Sequence, residues 1–150
     1  MWKLVLGCIA SKAELAKRGV HLADTRCSTC GIGKETVNHI VVLCMLVRSI
    51  WWQLCVWTKI PVITQAESFS DMLNGLHLLK GSSKRKKIME VILAASIWSI
   101  WKARNTLRFK GEPFIVSKVV DAIKEESFLW IKNRTAFSGI DRGRWMEFNV

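Results

Sequence analysis

Residues Cys27 to Cys44 read CSTCGIGKETVNHIVVLC, and the soft donors in this stretch decide how the rest of the chain is read. Cys27, Cys30, His39 and Cys44 stand at the spacing Cys-x2-Cys-x8-His-x4-Cys. Thiolate and imidazole are the donors Zn²⁺ prefers, and four of them close a tetrahedron with no open position. Cys27 and Cys30 have the spacing of a knuckle, a tight turn that points two sulfurs at one ion. Gly31 and Gly33 follow and let the backbone close beneath the ion, where amide N–H groups can bond the thiolates.

The second half of the pattern is less regular. On an ideal helix, residues five apart point about 140° away from each other. His39 and Cys44 therefore cannot face one ion from an undistorted helix. His39 is expected in a loop or a distorted first turn, with Cys44 one turn or more into the next helix. Asn38 or a backbone carbonyl is the expected acceptor for the second ring nitrogen of His39. The competing reading makes Cys44 a buried apolar residue and His39 a surface histidine. His21 and His77 are not expected to be ligands.

The chain has 150 residues, half of them hydrophobic, which is enough to bury a core and excludes a disordered protein. Its net charge of +11 is uneven. Residues 1–75 carry eight basic and five acidic side chains, hence +3, and residues 76–150 carry fifteen and seven, hence +8. A basic half beside a zinc knuckle points to an anionic partner, most simply RNA or DNA. Ordinary solubility charge is the plainer explanation. The metal pattern uses three of the five cysteines, and Cys8 and Cys55, in apolar surroundings, read as buried small residues. Unpaired cysteines and the lack of a convincing secretory signal imply a reducing, intracellular compartment, the nucleus included. VILAASIWSIW, from Val91, is too short to span a membrane, and His39, Arg48 and Gln53 interrupt the apolar stretch from Val37 to Trp57. No membrane association is expected.

The predicted fold is mainly α: a small helical domain built around a Cys3His zinc knuckle, followed by long packed helices. Ser11 caps a short helix to Arg18 with Leu15 inward, and Gly19 ends it. Val47, Ile50, Trp51 and Leu54 lie on one face of a second helix, which Pro61 ends by Lys59 or Ile60. Trp51 and Trp52 read as core rather than as a stacking platform for bases. Glu67 to Leu79 is a third helix. After the break Gly81-Ser82-Ser83, Lys84, Arg85, Lys86 and Lys87 open a long helix to about Phe109, apolar all round at its centre. A last helix runs from about Ile115 to Asn133, packing through Val119, Val120, Ile123, Phe128, Leu129 and Ile131. The expected division is a zinc-binding domain over 1–60, a helical segment over 61–137 and a loose tail over 138–150.

These residues resemble the zinc-binding domain of plant non-LTR (LINE-type) retrotransposon reverse transcriptases. The matching positions are Leu15 to Val20, Cys27, Cys30, Glu35, His39, Cys44, and Ile50 with Trp51. Trp98, Trp101, Arg104 and Asn105 look like the W-x-x-W-x-x-R-N segment that follows the zinc domain in the same polyproteins. The stronger match covers about residues 1–57 and the weaker about 88–112. The resemblance implies the C-terminal part of an element-encoded protein that binds nucleic acid, with His39 as the imidazole ligand. It does not imply polymerase activity. Two-metal phosphoryl transfer needs clustered carboxylates, and Asp24, Asp71, Asp121 and Asp141 form no such pair.

Three functions remain open from sequence. The first is a zinc-stabilised module that binds nucleic acid without sequence specificity, through Lys84, Arg85, Lys86, Lys87, Arg104 and Arg108. The second is a zinc-stabilised protein-interaction module, and the third a functionless retrotransposon relic. An enzyme is not expected, because a closed Cys3His site leaves no coordination position for water.

Overall fold

The apolar periodicity of the chain is realised as helices. The computed structural model describes residues 9–61, 66–134 and 139–150. α1 spans Lys12–Lys17, a π-helical turn His39–Leu43, α2 Met45–Thr58, α3 Phe69–His77, α4 Ser83–Lys110, α5 Val116–Arg134 and α6 Arg142–Met146. The mainly α fold read from the sequence is the fold observed. Among the described residues the extended pairing is one antiparallel bridge, Arg26 to Lys34, at the base of the knuckle. Cys8 lies outside the described residues; Cys55 is buried, as expected.

Short polar side chains set the helix starts by satisfying first-turn N–H groups. Ser11 Oγ accepts from the N–H of Glu14 at 3.2 Å, and Ser82 Oγ from that of Arg85 at 3.2 Å. Ser68 and Asp71 form a reciprocal capping box on α3. α2 stops at Lys59, whose left-handed φ of 55° turns the chain towards Ile60 and Pro61. α4 stops at Gly111, with φ of 68°. The inward residue of α1 is Ala13 and not Leu15. The N–H of Ala13 donates to the Glu35 carbonyl at 3.1 Å, and an approach this close between two backbones favours a methyl side chain.

α4, about 42 Å long at 1.5 Å per residue, is the longest element. After Gly111 the chain folds α5 back along it, while α2 packs on α5 and α3 on α4. Ile88, Ile92, Ile97 and Ile100 of α4 meet Val119, Ile123 and Ile131 of α5 and Val47, Ile50 and Leu54 of α2 in one apolar cluster that also contains Cys27 and Cys44. The centre of α4 is not buried on every side, because Trp98 is 50 % exposed. Leu129, expected to pack, faces solvent instead.

The expectation of a loose tail is overturned. Trp145 is fully buried and Phe148 nearly so. Asp141 caps α6 by accepting from the N–H of Arg144 at 3.1 Å. Trp145 stacks edge-on against Trp57 at 5.5 Å between ring centroids, and its indole N–H donates to the Lys124 carbonyl at 2.9 Å. Trp57 in turn donates to the Met146 carbonyl at 2.9 Å. Two large aromatics a few residues apart supply enough apolar area to dock even a one-turn helix. Replacing Trp145 by Ala should therefore destabilise the protein by about 3 kcal/mol. A urea midpoint unchanged by Trp145→Ala would show that the docking contributes nothing.

Candidate metal centre

The knuckle is built by backbone geometry. Gly31 and Gly33 both hold positive φ, 71° and 69°, a conformation other L-residues adopt at a cost. The N–H of Gly31 donates to the Cys27 carbonyl at 2.9 Å, and that of Cys27 to the Gly33 carbonyl at 2.9 Å. This loop turns both sulfurs inward. The N–H of Ile32 reaches Cys30 Sγ at 3.4 Å, as the sequence reading anticipated for amides beneath an ion. A Cβ on Gly33 would meet the His39 imidazole at an ordinary contact distance of 3.5 Å, so it is the positive φ and not lack of space that favours glycine here.

The spacing problem between His39 and Cys44 is solved by the π-helical turn. The N–H of Cys44 donates to the His39 carbonyl at 2.8 Å, five residues back. A turn that closes i to i+5 takes in more residues than an α-turn, and so brings residues five apart towards one side. His39 thus stands in a distorted first turn, as expected. Cys44, expected inside the helix, is instead the residue that caps α2. The Asn38 side-chain oxygen accepts from the N–H of Phe69 at 3.3 Å, and among the described residues no hydrogen bond joins it to the imidazole. Trp51 closes the construction by donating its indole N–H to the Val41 carbonyl at 2.7 Å.

The donor atoms of Cys27, Cys30, His39 and Cys44 all lie within 4.8 Å of one another. His39 Nε2 is 3.4 Å from Cys30 Sγ. An ion bound at 2.0–2.3 Å by four tetrahedral donors needs edges of about 3.3–3.8 Å, so small adjustments admit it. Cys27 and Cys44 are buried, Cys30 and His39 partly exposed. His21 and His77 do not join the cluster. The Cys27 thiol is pulled down to about 4, chiefly by the hydrogen bond from Cys44 and then, against burial, by the N–H groups of Cys30 and Thr29. Cys44 is pushed up by the same bond and by burial. A cation between the two sulfurs would displace the protons they hold.

A second polar assembly ties the knuckle to α4. Glu35 is fully buried, and Arg104 is 1 % exposed. The Arg104 guanidinium donates Nη2 to Glu35 Oε1 and Nε to Oε2. Glu35 Oε1 also accepts from the N–H of Lys12 at 3.1 Å, at the start of α1. Glu35 Oε2 accepts from the N–H of Ser28 at 2.9 Å, inside the knuckle. Arg104 lies under the Trp101 ring, 5.1 Å from its centroid, and donates to the Asn105 side chain at 2.9 Å. One carboxylate thus joins α1, the knuckle and α4. Burial pushes Glu35 up, but Arg104 and the N–H groups of Ser28 and Lys12 outweigh it and hold the carboxyl below its usual range.

Arg104, read from sequence as a phosphate contact, is therefore unavailable for one. Its place on a basic helix gave no hint of the carboxylate 69 residues away that claims it. Of the run opening α4, Lys84, Lys86 and Lys87 are exposed. Arg85 is partly withdrawn, donating to the Thr58 carbonyl at 3.0 Å and lying 5.8 Å above the Phe148 ring. Arg108, half-buried, lies 5.6 Å above the Phe109 ring.

Three cysteine sulfurs and an imidazole drawn into one pocket are the donor set of a closed metal centre. Residues 1–51 of the chain match the family described as zinc-binding in reverse transcriptase, which takes in the knuckle, the π-helical turn and the first half of α2. No curated protein and no solved structure matches the chain.

Proposed function

We propose that this chain is a zinc-stabilised module that binds RNA or DNA without sequence specificity, similar to the C-terminal part of a plant non-LTR retrotransposon reverse transcriptase, and without polymerase activity of its own. The observation that carries the metal half of this reading is the convergence of Cys27, Cys30, His39 and Cys44. Zinc would supply a cross-link between the knuckle and the start of α2, and the protein supplies every ligand. Such a centre holds a fold rather than activating water. Three of the four aspartates also have local duties: Asp24 accepts from Arg26, Asp71 caps α3 and Asp141 caps α6. Thiolate ligands must stay reduced, so an intracellular, nuclear setting is part of the same reading. Among the described residues no helix is long and apolar enough to cross a membrane.

The ligand assignment is tested by zinc stoichiometry. His39→Ala should lower the bound zinc below one per chain, and His21→Ala should leave it unchanged; the reverse pattern would refute the assignment. The nucleic-acid half rests on the net charge of +11 and on the exposed Lys84, Lys86 and Lys87. Each phosphate contact on a single strand contributes about −0.7 to the slope of log affinity against log salt. Replacing Lys84, Lys86 and Lys87 by Gln should flatten that slope by roughly two units. Arg85 is spared because it supports the fold. An unchanged slope with zinc still bound would reject this patch and favour a protein partner.

A further inference from the structure

We infer that the solvent face of α2 holds a single-stranded nucleic acid, with one base stacked on the Trp52 indole and flanking phosphates met by Arg48 and Lys59. This rests on the nucleic-acid reading above and gives it a contact surface. Trp52 was read from sequence as core, yet it is 56 % exposed. Met45 and Val56 are equally open, at 59 % and 57 %. At about 100° per residue, Met45, Arg48, Ser49, Trp52 and Val56 fall within one stripe of roughly 100°, and all five are exposed.

Trp52 differs from its neighbours in its bonding. The indole N–H groups of Trp51, Trp57 and Trp145 each donate to a backbone carbonyl. Trp52 has no such partner among the described residues. Stacking against a base needs an aromatic face of this kind in solvent.

Charge decides what lies on the stripe. α2, MLVRSIWWQLCVWT, contains no acidic residue. Arg48, one turn before Trp52, forms no ion pair among the described residues. Lys59, at the far end, donates its Nζ to the neutral side chain of Asn149 at 3.1 Å and forms no ion pair among the described residues. Glu147, an acid near the Lys59 end, is itself bonded to Asn149 at 2.8 Å. A stripe with an open ring, two cations and no anion on its own helix complements a phosphate-bearing strand, whose bases are free to stack.

The test is fluorescence anisotropy with labelled oligothymidine and oligouridine, and with a duplex of equal length, on the zinc-loaded chain. Trp52→Ala should weaken single-strand binding about tenfold, Trp52→Phe should recover most of it, and Arg48→Gln should flatten the salt slope by about 0.7. Far-UV circular dichroism checks that the variants remain folded. If wild type binds and Trp52→Ala binds equally well, or if the duplex binds as tightly as the single strand, this surface is wrong and the broader reading survives. If wild type binds none of the probes at low salt, both fall.

Discussion

Cys27→Ser is expected to abolish metal binding and to unfold the N-terminal half of the protein. Cys27 is 2 % exposed and belongs to the apolar cluster shared by α2, α4 and α5. With the metal, its sulfur is one of four bonds joining the knuckle to α2; without it, a serine hydroxyl is left in an apolar place. Structural zinc contributes about 10–16 kcal/mol of apparent binding energy in knuckle-sized sites, comparable with the whole stability of an ordinary domain, about 5–15 kcal/mol. Losing one of four ligands forfeits most of that. The expected readout is zinc below one per chain together with a fall in helical ellipticity. Cys55→Ser is the control. Cys55 is equally buried but stands outside the metal cluster, so its variant should keep the metal. Metal-free Cys27→Ser protein with unchanged ellipticity would show that the fold does not depend on the centre.

The second large effect concerns Glu35. Removing one partner of a buried ion pair leaves the other charged and unpaired, at a cost of about 3–5 kcal/mol. Glu35→Ala would strand the Arg104 guanidinium and also free the N–H groups of Lys12 and Ser28. The expected loss is therefore in the upper part of that range, read as a shift of the denaturant midpoint. Replacing Glu35 and Arg104 together by apolar residues should cost less than Glu35→Ala alone. Equal losses would mean that the charge pairing is irrelevant. The pair also has a pH signature. The native Glu35 carboxyl is held below its unfolded value of about 4.3. Its contribution is thus complete above about pH 4.3 and is lost as the pH falls through the lower native value. Glu35→Gln does not titrate, so the stability gap between wild type and Glu35→Gln should shrink below that pH. Metal loss in acid affects both proteins and cancels in the difference.

The pair also shows where sequence reading reached its limit. Cys27, Cys30, His39 and Cys44 were legible because metal ligands of one site must be soft donors, and few others are nearby. The helix start at Ser11 was legible because a hydroxyl before an apolar run has a local purpose, whereas Ser68 looked interior to its helix and Ser82 part of a break, and both are caps. Glu35 and Arg104 each stood at a position of the family pattern, and Arg104 was read as a phosphate contact, but nothing in either stretch paired them. Their partnership spans the fold, and no local rule distinguishes the buried Arg104 from the half-buried Arg85 and Arg108 of the same helix. Trp145 was misread for the same reason, since its partners Trp57 and Lys124 lie far back in the chain. Trp52 was misread in the opposite direction. It adjoins Trp51 in sequence, but one step of about 100° around the helix turns it from core to solvent. The π-helical turn was foreseen only as a distortion, because His39 to Cys44 fits an α-helix poorly while nothing in HIVVLC names the alternative.

Native mass spectrometry of the whole chain before and after chelation, with circular dichroism on the same samples, tests the metal centre most directly. The expected result is one zinc ion per folded chain, released by the chelator together with helix content that returns when zinc is restored. A chain that carries no metal, or that loses it with its helical spectrum unchanged, would contradict a fold organised around Cys27, Cys30, His39 and Cys44.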